Sequence, residues 1–252
     1  MPLYVYTDFN RNAVEPMECL KAGWSQIKDQ YWLFVGMTLV GILIGSFVPL
    51  GILMGPMMCG LYLALFQRMR GQSVEFGTLF KGFDYFGDSV VATLLHLIPM
   101  VIVMIPFYAL FFLGPLLMGA NSRDGEPDAA GTAGFFGLML FLGIVMFVVL
   151  LVVTVVFTFA YPLIVERKLS GLEAVKLSVK GSLANFWRLL GLLLLNGLLG
   201  VVGVLFCYVG AFLVLPLSFA AIANAYEQVF GLAPAQWAYP PPPPASFDQG
   251  FV

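Results

Sequence analysis

Four long stretches of the chain carry almost no polar positions: Tyr31 to Met69, Val90 to Met118, Phe135 to Val165 and Trp187 to Val229. A helix needs about 20 apolar residues to cross a bilayer, so each stretch reads as membrane-spanning. The first and last are long enough to cross twice, turning near Val48-Pro49 and near Cys207 to Gly210. Six transmembrane helices result. The central pair is longer than its neighbours: Phe135 to Val165 covers 31 residues, about 46 Å of helix, so it must tilt or project. Pro99 and Pro106 lie seven residues apart, with Pro115 further on, and they predict a kinked third span.

Between these stretches the pattern changes from continuous to amphipathic. Val14, Met17, Leu20, Trp24, Ile27 and Tyr31 recur at helical steps, as do Leu172, Val175, Val179, Leu183 and Phe186. Asn12 with Glu15, and Ser170 with Glu173, have the spacing of capping boxes. A third such segment carries Phe76, Leu79, Phe80, Phe83 and Phe86 as an aromatic stripe opposite Thr78, Lys81, Tyr85 and Asp88. All three are expected to lie at the head-group level, with Lys176 and Lys180 facing anionic lipid. The layout is then a cytoplasmic segment with an amphipathic helix (1–30), a first transmembrane hairpin (31–71) and an amphipathic segment (72–89). A central pair (90–165) with an outside loop (119–134) follows. A second amphipathic helix (166–186), a second hairpin (187–231) and a proline-rich tail (232–252) complete it. The fold class is an all-α integral membrane protein.

Composition agrees: 60% of the 252 residues are hydrophobic and 10% charged, with mean hydropathy +0.93, against roughly 25% charged in soluble domains. The formal net charge of -2 leaves no basic excess for nucleic acid, so membrane lipids are the expected surroundings and nucleic acid is not a partner. Cys19, Cys59 and Cys207 are odd in number and widely spaced, which indicates no disulfide framework. The first 30 residues have no signal-peptide pattern, so the N-terminus is expected to be retained. Eleven of the twelve Lys and Arg fall in segments that this layout puts on one side. The exception, Arg123, sits among Asp124, Glu126 and Asp128 in the loop 119–134. Basic loops stay cytoplasmic. The expectation is a multi-pass protein of the cell (cytoplasmic) membrane with both termini cytoplasmic.

The two hairpins align with one another. At an offset of 155, Glu18 meets Glu173, Lys21 meets Lys176, Trp32 meets Trp187, Gly36 meets Gly191 and Gly45 meets Gly200; at 160, Pro56 meets Pro216, Phe66 meets Tyr226 and Gly71 meets Gly231. Both copies start and end on one side, so they are parallel repeats flanking the central pair. Gly41-x-x-x-Gly45 and Gly51-x-x-x-Gly55 permit close helix approach, read as packing within one chain.

Reactive groups are sparse. Intramembrane ionisable residues mark proton and ion paths, and the candidates are His96, the only histidine, and Glu227 near the end of the last span. His96 reads as a proton relay or, more ordinarily, as a single interhelical contact. Asn196 and Asn224, with Thr154 or Thr158, read as interhelical hydrogen bonds or as the polar part of a substrate site. Asp84 and Asp88 lie one helical turn apart, and the ordinary reading is a solvated polar face rather than a metal site. There is no Walker loop, H-E-x-x-H, G-x-S-x-G or zinc spacing, so no catalytic residue, cofactor or metal is assigned and an enzyme is not expected. The tail contains Pro240, Pro241, Pro242, Pro243 and Pro244, flanked by Trp237, Tyr239 and Phe247. Such a run is either a disordered end or a polyproline II segment for a cytoplasmic proline-recognition partner.

Gly55-Pro56, Cys59-Gly60-Leu61-Tyr62, Phe80-Lys81-Gly82-Phe83, Asn185-Phe186-Trp187, Pro216 and Ala225-Tyr226 resemble a group of prokaryotic membrane proteins related to the glycerophosphoryl diester phosphodiesterase membrane domain. The resemblance covers about Glu15 to Gly231. It implies a six-helix module of a bacterial or archaeal membrane. The catalytic His and acidic residues of the phosphodiesterase domain have no counterpart here, so no activity is implied. The functional expectation is a non-enzymatic membrane accessory or scaffold protein that recruits a partner through its tail. The alternative is a transporter or amphiphile-binding protein with a site between the repeats, near Asn196, Pro99, Pro106 and Pro216.

Overall fold

The structure is a computed structural model that describes residues 9–47, 51–121, 129–205 and 209–232, the side chains of 117–121 and 129–130 excepted. Among these residues every regular element is helical. The α-helices are α1 (Pro16–Ile27), α2 (Tyr31–Phe47), α3 (Met54–Met69), α4 (Phe86–Asn121), α5 (Ala129–Phe157), α6 (Ala160–Arg167), α7 (Gly171–Ala184), α8 (Phe186–Leu205) and α9 (Val209–Phe230). A 3₁₀ helix, Phe76–Tyr85, leads into α4. Five helical stretches are long and apolar enough to cross a membrane: Pro16–Phe47, Phe76–Leu116, Gly131–Arg167, Phe186–Leu205 and Val209–Phe230. The expected loop 119–134 is shorter, because α4 runs on to Asn121 and α5 begins at Ala129; residues 122–128 with Arg123, the Val48-Pro49 turn, Cys207, and the tail with Trp237, Tyr239 and Pro240 to Pro244 lie outside the described residues.

The sixth apolar stretch, α3, has only 16 residues, about 24 Å, and is largely enclosed, buried at Gly55 through Tyr62 and again at Ala64, Leu65 and Phe66. Around it the core gathers the aromatic rings Phe66, Phe159 and Tyr226, with Tyr226 5.3 Å from Phe66 and 6.2 Å from Phe159. The central pair is the opposite case: only 6% of the most apolar window of either helix is buried, so its surface is left for lipid.

Small residues, not the apolar stripes, decide how the lead-in elements dock. Gly23 of α1 lies against α9, where an added Cβ would sit 3.0 Å from the Ala221 nitrogen. Gly82 of the 3₁₀ helix meets α3 backbone to backbone, a Cβ there falling 2.8 Å from the Gly60 Cα. Ser178 of α7 docks on the break between α5 and α6, its Oγ donating to the Val156 carbonyl (2.8 Å) and accepting the Phe159 N–H (3.2 Å). Each helix contacted in this way ends at a left-handed residue: Gly71 (φ 73°), Lys168 (φ 51°) and Gly231 (φ 69°).

Three sequence expectations need correcting in detail. The expected interfacial stripe of α7 is split, because Val175 is buried in the protein while Leu172 and Leu183 stay exposed. The aromatic segment is 3₁₀ rather than α, so Phe80, Phe83 and Phe86, spaced by three, share its outer side while Leu79 turns inward. The capping boxes do not form backbone caps: Ser170 bonds the Glu173 carboxylate (2.9 Å), and the N-cap of α1 is Glu15 without a side-chain bond. Both N-termini are instead capped from other helices. Gln228 Oε1 accepts the Glu15 N–H (2.9 Å), and Asp88 Oδ1 accepts the Gly171 N–H (3.0 Å).

Candidate functional site

The four intramembrane candidates lie on three helices, His96 on α4, Asn196 on α8, and Asn224 and Glu227 on α9, and the structure does not gather them into one site. Asn224 forms a reciprocal amide pair with Gln26, both bonds 2.9 Å, and its Nδ2 also donates to the Ala220 carbonyl at 2.8 Å. It fastens α1 to α9 and is fully used there. Glu227 is exposed on the outside of α9. His96 of α4 stacks on Phe157 of α5, ring centroids 4.8 Å apart and 11° from parallel, and its Nε2 has no hydrogen-bond partner among the described residues. Thr154 in α5 and Thr158 just past its end bond back to the Leu150 and Thr154 carbonyls, so neither provides the expected interhelical bond.

Asn196 differs from these. It is 8% exposed, and both its Oδ1 and Nδ2 lack any partner among the described residues, which corrects the expectation of an interhelical hydrogen bond. It lines one end of a trough of about 470 Å³ whose walls, among the described residues, come from α8 and α9: Gly197, Gly200, Val201, Val204 and Leu205 on one side, Ala211, Phe212, Val214, Leu215 and Ser218 on the other. The volume falls within the 300–1,000 Å³ of small-ligand sites. The trough therefore lies between α8 and α9, with no lining residue from α2, α3 or the Pro99 and Pro106 helix α4 among the described residues.

The local sequence explains the trough. Gly203 and Gly210 bring the two helices together, a Cβ on Gly203 falling 2.7 Å from the Ala211 nitrogen. Gly197 and Gly200, by contrast, have no atom within 4 Å of where a Cβ would stand, so the wall there is bare backbone. Pro216 has no N–H, which leaves the carbonyl of Phe212 without its helical donor. Next to that turn, the Tyr31 hydroxyl donates to the Leu213 carbonyl at 2.7 Å and ties α9 to α2.

Several polar groups missed in the sequence reading are structural fasteners at the end of the bundle where Lys and Arg gather. Arg70 pairs with Glu166, whose side chain is 3% exposed. Arg68 bonds Asp29 (2.7 Å), and Arg167 donates to the Phe230 carbonyl (2.7 Å). Asn185 accepts the Ala13 N–H (2.8 Å) and donates to the Asn10 and Gly181 carbonyls. The signal available in sequence was an Asn at the junction of two helical patterns, a frequent hinge position. Asp88 is engaged as a cap, Asp84 is exposed, and no group of three or more His, Cys, Asp or Glu side chains is placed to hold a metal among the described residues. Cys19 and Cys59 are buried free thiols, Cys19 Sγ lying 3.3 Å from Gln228 Oε1.

Compared with protein-family models, with curated proteins and with solved structures, the chain matches none of them.

Proposed function

We propose that this multi-pass membrane protein holds a lipid-like amphiphile in the trough between α8 and α9, without chemistry on it. The observation that carries the reading is Asn196. An unpaired buried polar group costs about 1–3 kcal/mol, and here a donor and an acceptor are left unpaired together at the wall of a trough lined by apolar side chains, glycines and Ser218, whose hydroxyl bonds the Val214 carbonyl of its own helix. A ligand that supplies both partners recovers that cost.

The proposal includes six membrane segments, both termini cytoplasmic, and hairpins related as repeats. Its support is the set of equivalent contacts. Offset 155 equates Gly23 with Ser178, offset 160 equates Gly60 with Ala220, and these are the positions where lead-in elements meet their supporting helices. The equivalent rings Phe66 and Tyr226 touch each other, as residues beside a pseudo-symmetry axis do. The central pair, with its own lead-in helix and docking point, extends the pattern to a third unit.

The test is thermal unfolding in nanodiscs against a panel of lipid classes. Stabilisation of the natural protein that disappears in Asn196→Leu supports the reading, and no response to any class refutes it. An engineered cysteine at Arg123 labelled only from the outer side tests the orientation. The scaffold reading rests on the sequence: sparse reactive groups, three amphipathic segments and the proline run; a stoichiometric protein partner lost with residues 234–252 would carry it.

A further inference from the structure

We infer that the ligand of the trough is a single-chain amphiphile with an uncharged head that both donates and accepts a hydrogen bond, a hydroxyl or an amide. This deepens the amphiphile-binding reading and rests on it.

Depth excludes charge. Asn196 lies ten residues into α8, about 15 Å along a helix of about 30 Å, so its amide sits near the bilayer midplane. A charged head would be stripped of water there at a cost of several kcal/mol, and no Lys, Arg, Asp or Glu lines the trough to offset it. An uncharged head tolerates that depth.

The amide itself sets the hydrogen-bonding character. Oδ1 requires a donor and Nδ2 an acceptor, and both stand open in one side chain. An ester offers acceptors only. A hydroxyl or a carboxamide offers both within one group.

The shape of the trough specifies one chain. From Asn196 to Leu205 it runs nine residues, about 14 Å, close to half of the 30 Å hydrocarbon core and so to the reach of a chain in one leaflet. A further transmembrane helix is about 10 Å across with its side chains. It would cover the trough without bringing its backbone to an amide recessed between α8 and α9.

Three probes with the same oleoyl chain separate these arguments: 1-monooleoylglycerol, uncharged with hydroxyls; methyl oleate, uncharged with acceptors only; and oleoyl lysophosphatidylcholine, with a charged head. Binding is read by native mass spectrometry of the full chain released from nanodiscs. The expected result is one monooleoylglycerol per protein, bound about tenfold more tightly than either other probe, the difference that two membrane hydrogen bonds produce. Asn196→Leu should bring monooleoylglycerol down to the level of methyl oleate, and Asn196→Gln should restore part of the preference. Gly200→Phe, which fills the open wall, should abolish all three. Equal binding of the three probes, or a preference unchanged in Asn196→Leu, overturns the inference about the head while leaving the amphiphile reading standing. Failure of every probe to bind the natural protein overturns that reading as well. A second copy of the chain that is lost in Asn196→Leu would overturn both in favour of helix pairing.

Discussion

Replacing Gly82 by alanine should loosen the protein more than any other single methyl addition on the 3₁₀ helix. The new Cβ would overlap the Pro56 carbonyl oxygen and stand 2.8 Å from the Gly60 Cα, both of them backbone atoms of α3 with no rotatable end to swing aside. To restore ordinary contact the 3₁₀ helix must lift from α3 as a unit, which begins to expose Leu79, now fully enclosed. Overpacking of this kind costs about 1–3 kcal/mol and partial loss of a buried leucine adds to it, giving about 3 kcal/mol in total. For a chain of this length that corresponds to a fall in Tm of about 6–12 °C. Gly77→Ala is the matched control, because it lies on the same element and has nothing within 4 Å of its Cβ position; it should stay within about 0.5 kcal/mol of the natural protein. Unfolding in mixed micelles, followed by far-UV circular dichroism against SDS fraction, measures both. Equal stability of Gly82→Ala and the natural protein, or equal losses in the two variants, would refute the backbone-contact argument.

Other measurements probe the fasteners. Arg70→Met should destabilise by about 3 kcal/mol in the same titration by removing the guanidinium paired with the enclosed Glu166 carboxylate, whereas Arg70→Met combined with Glu166→Met should recover at least half of that loss. Asp88→Ala should cost about 1 kcal/mol by uncapping α7, and Asp88→Asn, which keeps an acceptor, should cost less. In a Cys207→Ser background, maleimide should modify neither Cys19 nor Cys59 until SDS is added; rapid labelling of folded protein at Cys19 would contradict its enclosure beside Gln228. Tyr31→Phe should lower stability by about 1 kcal/mol by deleting the bond to the Leu213 carbonyl, and an unchanged midpoint would show that bond to be idle.

The apolar stretches were legible because a bilayer imposes a length that few other structures require. Five reappear in helical stretches long enough to cross, and α3 shows the limit of that reasoning: its composition announces a span, but nothing in it announces the burial of Gly55 to Tyr62. The amphipathic segments were legible as helices, yet their docking faces were not. Periodicity weighs large apolar residues, whereas Gly23, Gly82 and Ser178 make contact by being small. Steps of three at Phe80, Phe83 and Phe86 are compatible with either helix type, so the 3₁₀ form could not be read from them. The polar residues were legible as candidates without their roles. Asn224 and Asn196 are alike in sequence, both amides in apolar helices; Gln26 reaches one and no described side chain reaches the other.

The docking of α1 on α9 also bears on biogenesis. The platform that receives Gly23, Gln26 and Cys19 is made by Ala220, Ala221, Asn224 and Gln228, which are translated roughly 200 residues later; at 5–20 residues per second, that is a delay of about 10–40 s. Throughout that interval the first helix lacks the α9 surface on which it docks. Its exposed Met17 and Trp24 give it a hold on the membrane surface while it waits. Closure between the two ends of the described chain is therefore a late event of assembly. A ribosome stalled before Asn224 would leave a partly inserted protein with its amino-terminal helix unlatched, open to recognition by membrane quality control.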